Sequence, residues 1–373
     1  MRIIQVSPYF YPHIGGVESH VLDLSHYLMK RGHEVEVITS NYAKLPEYEK
    51  VMGISVRRVK ALTVKFSTPV TPAMKKVISG EKADIVHSHS PPPLQPYYAA
   101  KGSKKARIPH VLTYHCDLEI PIPGGRHLVS AYRRTFGKKT ISMSDEIIAT
   151  TQSYASTSRD IWHRDIRVIP NAVDERRFNP KVSGKKVREE LGIEGNMVLY
   201  VGRLVYHKGV EYLIDSAKEV EAKYVIVGTG PKEKELRKHA VKAGVSEKVM
   251  FAGKVPYARL PEYYAATDVF VLPSVSRLEA FGIVTMEAMA TGKPVIVSDI
   301  PGVNEVIEDG VHGFNAVPMD GKDIARKLRT LLSDEDLRKE MGMKGRKLVE
   351  ERYTWDRVVE MVEQVYRDIL ERR

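Results

Sequence analysis

Short apolar runs alternate with amphipathic stretches along almost the whole chain. Arg2–Val6 is apolar and β-rich, and residues 17–31 place Val17, Val21, Leu24 and Leu28 at helical spacing, with Gly32 as a stop. Residues 35–39, 84–87, 110–114 and 146–149 are further short runs of the kind that is buried on both faces. Such runs in β-α-β order predict a parallel sheet covered by helices on both sides. The pattern then restarts. Turn formers crowd residues 170–180, residues 183–186 are polar, and a second series of strand-like runs follows at 198–201, 224–227, 248–252, 268–272, 294–298 and 313–317. The chain closes in helices. Thr354 is the expected N-cap of the last, whose apolar side is read as Val358, Met361, Val362, Val365 and Ile369. The predicted fold class is α/β with two Rossmann-like, doubly wound parallel-sheet domains. These are residues 1–172, with the helix 354–373 packing back on them, and residues 185–353. Ligands of such sheets bind outside the carboxyl ends of the strands, so the chemistry is sought there.

A length of 373 residues agrees with two domains, since a single core stops growing well before that size. Hydrophobic residues make up 43% and the mean hydropathy is −0.28, which fits folded globular domains and excludes a disordered chain. No run of eighteen apolar residues occurs. The opening apolar run is too short for a secretory signal and reads as the first strand. One cysteine, Cys116, excludes a disulfide framework and cysteine-based zinc sites. It points to a reducing, cytoplasmic setting. The net charge of +11 changes the picture most, because it calls for a polyanionic partner. Nucleic acid, an anionic membrane surface and a phosphorylated substrate all qualify.

Gly15-Gly16 precede the first helix, where glycine lets an anion approach the backbone N–H groups, or simply makes a tight turn. Gly228-Thr229-Gly230 has Glu233 where a dinucleotide fingerprint needs its third glycine, so it is read as a turn. Gly292-Lys293 runs into Pro294, which removes the phosphate-binding P-loop. Gly202-Arg203 and Lys208-Gly209 place two cations across one strand-to-helix loop, within reach of one polyanion or as two solvated charges. The strongest segment runs from 273 to 290, with a helix expected from near Gly282. Glu279 lies before that helix and Glu287 inside it. Eight residues span about 12 Å when helical, too far for the roughly 5–9.5 Å of a hydrolytic carboxylate pair. The two glutamates suit the ends of an extended ligand. His87 and His89 share one strand face without a third ligand near them in sequence, and no metal is assigned. Cys116, between His115 and Asp117, is read as packing, since triad members converge in space and not in sequence. Asp334-Glu335-Asp336 is read as helix capping.

In their order, Gly15-Gly16, Gly202-Arg203, Lys208-Gly209, Glu279-Ala280-Phe281-Gly282, Glu287-Ala288 and the stretch 290–296 resemble the retaining glycosyltransferases of family 4. Residues 169–174, which include Asn171, belong to the same pattern, although Ala172 stands where glycine is usual and residues 301–305 depart from the commoner double glycine. The resemblance spans nearly the whole chain. It implies a GT-B architecture with a central cleft, an acceptor held mainly by the N-terminal domain, a nucleotide-diphosphate sugar held by the C-terminal one, and a final helix that crosses back. Arg203 and Lys208 match the pair that grips the donor diphosphate. Glu279 matches the glutamate facing the transferred sugar and Glu287 the one binding the ribose. The backbone of Phe281-Gly282-Ile283 matches the stretch meeting sugar and phosphate. Gly16 matches the glycine that nears the diphosphate, His115 a histidine near the sugar, and Val255 the base pocket.

The implied activity is metal-independent, retaining transfer of a hexose from a UDP-, GDP- or ADP-sugar to a lipid, glycan or small-molecule hydroxyl. No separate cofactor is expected. A sugar-nucleotide epimerase on the same fold is the alternative enzyme. A nucleic-acid-binding protein is weaker still, because no such module is present and aromatics do not interleave with the basic residues. Two basic clusters remain: Lys101, Lys104, Lys105 and Arg107, and then Arg126, Arg133, Arg134, Lys138 and Lys139 among Leu128, Val129, Tyr132 and Phe136. They are read as a solvated face or as a peripheral contact with anionic lipid.

Overall fold

The computed structural model describes residues 1–372 except 14, 67, 92, 121, 162 and 163. The chain forms two compact units, Met1–Asn171 with Trp355–Arg373, and Ala172–Thr354.

Among the described residues the first unit has ten strands: β1 Arg2–Val6, β2 Glu34–Asn41, β3 Tyr48–Val51, β4 Ile54–Lys60, β5 Thr63–Lys65, β6 Thr68–Val70, β7 Ile85–Ser90, β8 His110–Tyr114, β9 Glu146–Ala149 and β10 Arg167–Val168. Eight of them form one sheet in the order β10-β9-β8-β7-β1-β2-β4-β3, parallel except for the edge strand β3. The remaining pair, β5 and β6, is an antiparallel hairpin. Ile3, Ile4 and Val6 of the central β1 are fully buried, as a strand covered on both faces requires. Sequence order reverses between β1 and β7, so the loops that follow these two strands diverge and leave a crevice at their carboxyl ends.

The apolar pattern did not announce β3 to β6. Arg57 and Arg58 interrupt the run of β4, and β5 is exposed along its length. Arg58 is nevertheless buried because Glu49 on the neighbouring strand pairs with it.

The helix Trp355–Glu371 belongs to the first unit. It buries Trp355, Val358, Val359, Val362, Val365, Tyr366 and Ile369. Met361, placed by the sequence reading on the apolar side, is 40% exposed, and Tyr366 takes the inner position. Trp355 stacks on Tyr27 of the helix Gly16–Lys30 at 5.6 Å, and Glu363 accepts from Arg31 at 2.8 Å.

The second unit holds β11 Met197–Val201, β12 Lys223–Val227, β13 Val249–Gly253, β14 Val269–Leu272, β15 Val295–Ser298 and β16 Gly313–Ala316. They form one all-parallel sheet in the order β13-β12-β11-β14-β15-β16. Order reverses between β11 and β14, so this unit has its own switch point. The Gly228-Thr229-Gly230 turn packs on the loop after β11. A side chain at Gly228 would strike the carbonyl of Gly202, and Leu204 N–H donates to Thr229 O at 3.0 Å. That supports its reading as a structural turn. Asp334 caps the helix Glu335–Arg352 by accepting from Leu337 N–H at 2.8 Å, as expected.

Candidate functional site

In the second unit, the loops leaving β11 and β14 meet at the switch point. Val275 N–H donates to His207 O at 2.9 Å, and Gly209 holds a left-handed φ of 61° against Pro273, whose carbonyl any side chain there would strike. This close approach brings Lys208 and Glu279 together as an ion pair whose side chains are 15% and 12% exposed. Ser274 donates its hydroxyl to the same Glu279 oxygen at 3.3 Å. Arg203 lies on the same loop, exposed, with its carbonyl accepting from Tyr200 at 3.2 Å. Burial, and next the charge of Lys208, lower His207 to about 4, with Arg203 adding to the effect. His207 is therefore neutral at pH 7, and the cationic character of the loop comes from Lys208 and Arg203.

The helix Ile283–Ala290 begins at Gly282, its N-cap, so Glu279 lies before it and Glu287 inside it, as expected. Glu287 is buried and accepts from Tyr264 at 2.6 Å. The two glutamates thus have separate partners and separate settings. The Phe281 ring is buried, with its centroid 6.0 Å from that of Tyr353. Val255 follows β13 and packs partly buried against the core.

In the first unit, Gly15 is the N-cap of the helix Gly16–Lys30, and among the described residues no atom beyond the chain neighbours and the helix's own backbone stands within 4 Å of a Cβ placed on Gly16. The sequence reading left this helix end open to an external anion. The structure places the carboxylate of Glu18 there instead, beside Gly15. Burial raises Glu18 to about 7, opposed by backbone hydrogen bonds from Glu18 and Gly15. Asn171, the last residue of this segment, is buried, and among the described residues its Oδ1 has no hydrogen-bond partner. A cavity of about 600 Å³ opens beside the carboxyl end of β2, lined in part by Tyr42, Lys44, Arg58, Lys60, Leu62 and Val64.

His115 follows β8 and is half-buried, with Nε2 at 3.1 Å from Nδ1 of His89. The ring of His20 packs edge-on at 5.0 Å from that of His115. Burial pushes all three imidazoles below their ordinary range, so all are neutral at pH 7. One nitrogen of each lies within 4.8 Å of the others. The companion for the strand histidines that the sequence lacked thus arrives from other elements, and it joins His89 and not His87. Ligands bound to zinc at 2.0–2.1 Å stand about 3.4 Å apart, whereas here two of the nitrogens already face each other as hydrogen-bond partners. The cluster is better described as a hydrogen-bonded array than as a metal cage.

Of the predicted residues, Lys208, Glu279, Arg203 and the start of the Ile283 helix share one switch point. Gly15, Gly16 and His115 lie at the carboxyl ends of the other sheet. Sequence reasoning missed Ser274 and Tyr264, which bond Glu279 and Glu287.

The sequence profile of Glycosyltransferase Family 4 matches residues 14–177, and that of Glycosyl transferases group 1 matches residues 184–348. An uncharacterized glycosyltransferase of Methanocaldococcus jannaschii is 32% identical, over 100% of this chain and 99% of its own length. A phosphatidyl-myo-inositol mannosyltransferase of Mycolicibacterium smegmatis is 30% identical over 99% of this chain and 94% of its own. Among solved structures, Anabaena HepE in complex with UDP and glucose superposes with a TM-score of 0.80 at 21% identity, covering 99% of this chain and 100% of its own.

Proposed function

This chain belongs to the family 4, group 1 glycosyltransferases and has their GT-B fold, and we propose that it moves a hexose such as glucose or mannose from a nucleoside diphosphate to an acceptor hydroxyl with retention at the anomeric carbon. The observation that carries this reading is the Lys208–Glu279 pair at the switch point, beside a helix N-terminus and exposed Arg203. Breaking the bond between the sugar C1 and the phosphate oxygen leaves the electron pair on the diphosphate. Lys208, Arg203 and the first turn of the Ile283 helix stabilise that charge without requiring a metal. The Glu279 carboxylate faces the sugar as it gains positive character. The acceptor oxygen attacks C1 on the face that the phosphate leaves, and its proton passes to the departing phosphate oxygen. Glu287 holds the ribose, Val255 borders the base, and the backbone of Phe281-Gly282-Ile283 approaches phosphate and sugar. Support for a nucleotide donor comes from the UDP and glucose in Anabaena HepE, and support for a lipid acceptor from the name of the mycobacterial relative.

The test is transfer from UDP-, GDP- and ADP-sugars in the presence of EDTA, with the anomer of the product read by NMR. Glu279→Gln is expected to lose about a hundredfold in kcat with its melting temperature retained. Wild-type rates in that variant, or a strict metal requirement, would contradict the reading. Conversion of the donor sugar with no acceptor present would point to the epimerase.

A second reading concerns the surface. Leu128 and Phe136 are exposed on the helical stretch 125–143, together with Arg126, Arg134, Lys138 and Lys139. Arg133 does not join them, because it pairs with Asp160. Apolar side chains among cations that form no ion pair with the described residues suit peripheral contact with anionic lipid. Among the described residues, no helix is long and apolar enough to cross a membrane.

A further inference from the structure

The cavity beside the carboxyl end of β2 holds none of the residues that act on the donor. At about 600 Å³ it has the size of a ligand site, roughly 300–1,000 Å³. Its apolar lining comes from two sources. The body of the unit supplies Val59 of β4, which is buried, and Val77 of the helix Met74–Ser79, which is half-buried. The strand β5 and the residue before it supply Leu62 and Val64, two positions apart and so on one face of the extended chain. Leu62 is 72% exposed and Val64 45%. The hairpin is fixed through its other strand. Pro69 O of β6 accepts from the buried Gln95 amide at 2.7 Å, and Leu62 N–H donates to Val70 O at 2.9 Å. Exposed apolar side chains held in this way along a cavity mark a binding groove.

The mouth of the groove is basic. Lys44 and Lys60 also line it and are exposed, and neither forms an ion pair among the described residues. Arg58 is buried, its charge met by Glu49, and it donates to Tyr11 O at 2.7 Å. Glu47 is the carboxylate among the described lining residues, so the two lysines leave an excess of positive charge. Tyr42 completes the lining on the side of the crevice. Its ring meets that of Tyr9 edge-on at 4.9 Å, and Tyr9 lies on the loop that follows β1. We propose that this cavity binds the acceptor and that the acceptor is an acidic amphiphile: its alkyl chain lies between β5 and the wall of Val59 and Val77, its phosphate meets Lys44 and Lys60, and its hydroxyl passes Tyr42 toward the crevice. A purely apolar guest leaves both lysines unused. A free anion gains little from two exposed ammonium groups in water. A molecule that joins the two parts uses both.

The proposal rests on the transfer reading, but its test needs no transfer. Isothermal titration of the full chain with octyl phosphate, 1-octanol and inorganic phosphate, in the absence of donor, reads the two parts of the ligand separately. Octyl phosphate below its micellar concentration should bind at least about tenfold more tightly than either of the others. From butyl to octyl phosphate the affinity should rise by up to about fourfold per methylene, the worth of burying one CH₂. Leu62→Ser with Val64→Thr alters exposed side chains, so the melting temperature is retained, and it should weaken octyl phosphate by about fivefold or more. Lys44→Ala with Lys60→Ala should bring octyl phosphate to within about twofold of 1-octanol and leave 1-octanol itself unchanged. No binding of octyl phosphate, binding independent of chain length, or binding unaltered in either double variant would overturn the proposal and leave hexose transfer standing, since no donor residue is involved. Loss of octyl phosphate in Lys138→Glu with Lys139→Glu would also overturn it, by placing the amphiphile on the helical stretch 125–143.

Discussion

Glu18 occupies the helix end where two glycines invite an external anion. Its carboxylate accepts from its own backbone and that of Gly15, yet burial still raises it to about 7. A carboxyl raised on folding penalises its charged form in the native state only. The penalty is absent below the ordinary value of 4.5, grows as pH rises, and is complete above about 7. Glu18→Gln should therefore stabilise the protein by an amount that grows from pH 4.5 to 7 and then levels off. Its ceiling is about 3 kcal/mol, at roughly 1.4 kcal/mol per tenfold in the proton equilibrium. Urea denaturation at a series of pH values measures it, and a difference that does not vary with pH would contradict it. Lys208 and Glu279 were legible because each lies a few residues past a buried strand, where ligands bind. Glu18 was not, since three-residue spacing does not tell a surface glutamate from one folded back on its own N-terminus. Ser274 and Tyr264 were invisible for a related reason: they matter through single hydrogen bonds to residues 5 and 23 positions away.

Elements buried on both faces were read well from the sequence, and those at edges poorly. The central strands of the second sheet are apolar runs, and those of the first, β1 and β7, are buried although Gln5 and His87 to Ser90 interrupt them. The edge strand β3, the charged β4 and the exposed β5 carry no such pattern, and their pairing depends on partners such as Glu49 for Arg58. The last helix was recognised by its period, but one position was assigned to the wrong side, because Met361 and Tyr366 are both apolar enough to fit. The helical stretch 125–143 was singled out for its charges, and the structure trims its cluster by pairing Arg133 with Asp160. The remaining four cations predict binding to vesicles that contain phosphatidylglycerol and not to purely zwitterionic ones. Each basic residue near the surface is worth about 1 kcal/mol, so Lys138→Glu with Lys139→Glu should weaken co-sedimentation by more than tenfold. Equal binding of the double variant, or no wild-type binding at low salt, would remove the membrane reading.

At the scale of the molecule, the excess of +11 first called for a polyanion of unspecified kind. The structure divides that charge. Lys208 is held at a switch point by Glu279 and accompanied by Arg203, a run of exposed cations lies on a helical surface, and other basic residues such as Arg58 and Arg188 are spent on ion pairs. Each unit has its own parallel sheet and its own reversal of strand order, so the two-part plan was readable from the rhythm of the chain. The pairings within each crevice were not, because loops from strands distant in sequence meet there. The central claim is that Lys208 and Arg203 hold a diphosphate. Isothermal titration of a nucleoside diphosphate and the matching monophosphate into the wild type and Lys208→Ala tests it most directly. The wild type should bind the diphosphate at least tenfold more tightly, and Lys208→Ala should lose most of that preference. Equal affinity for the two nucleotides in the wild type, or an undiminished preference in Lys208→Ala, would contradict the account.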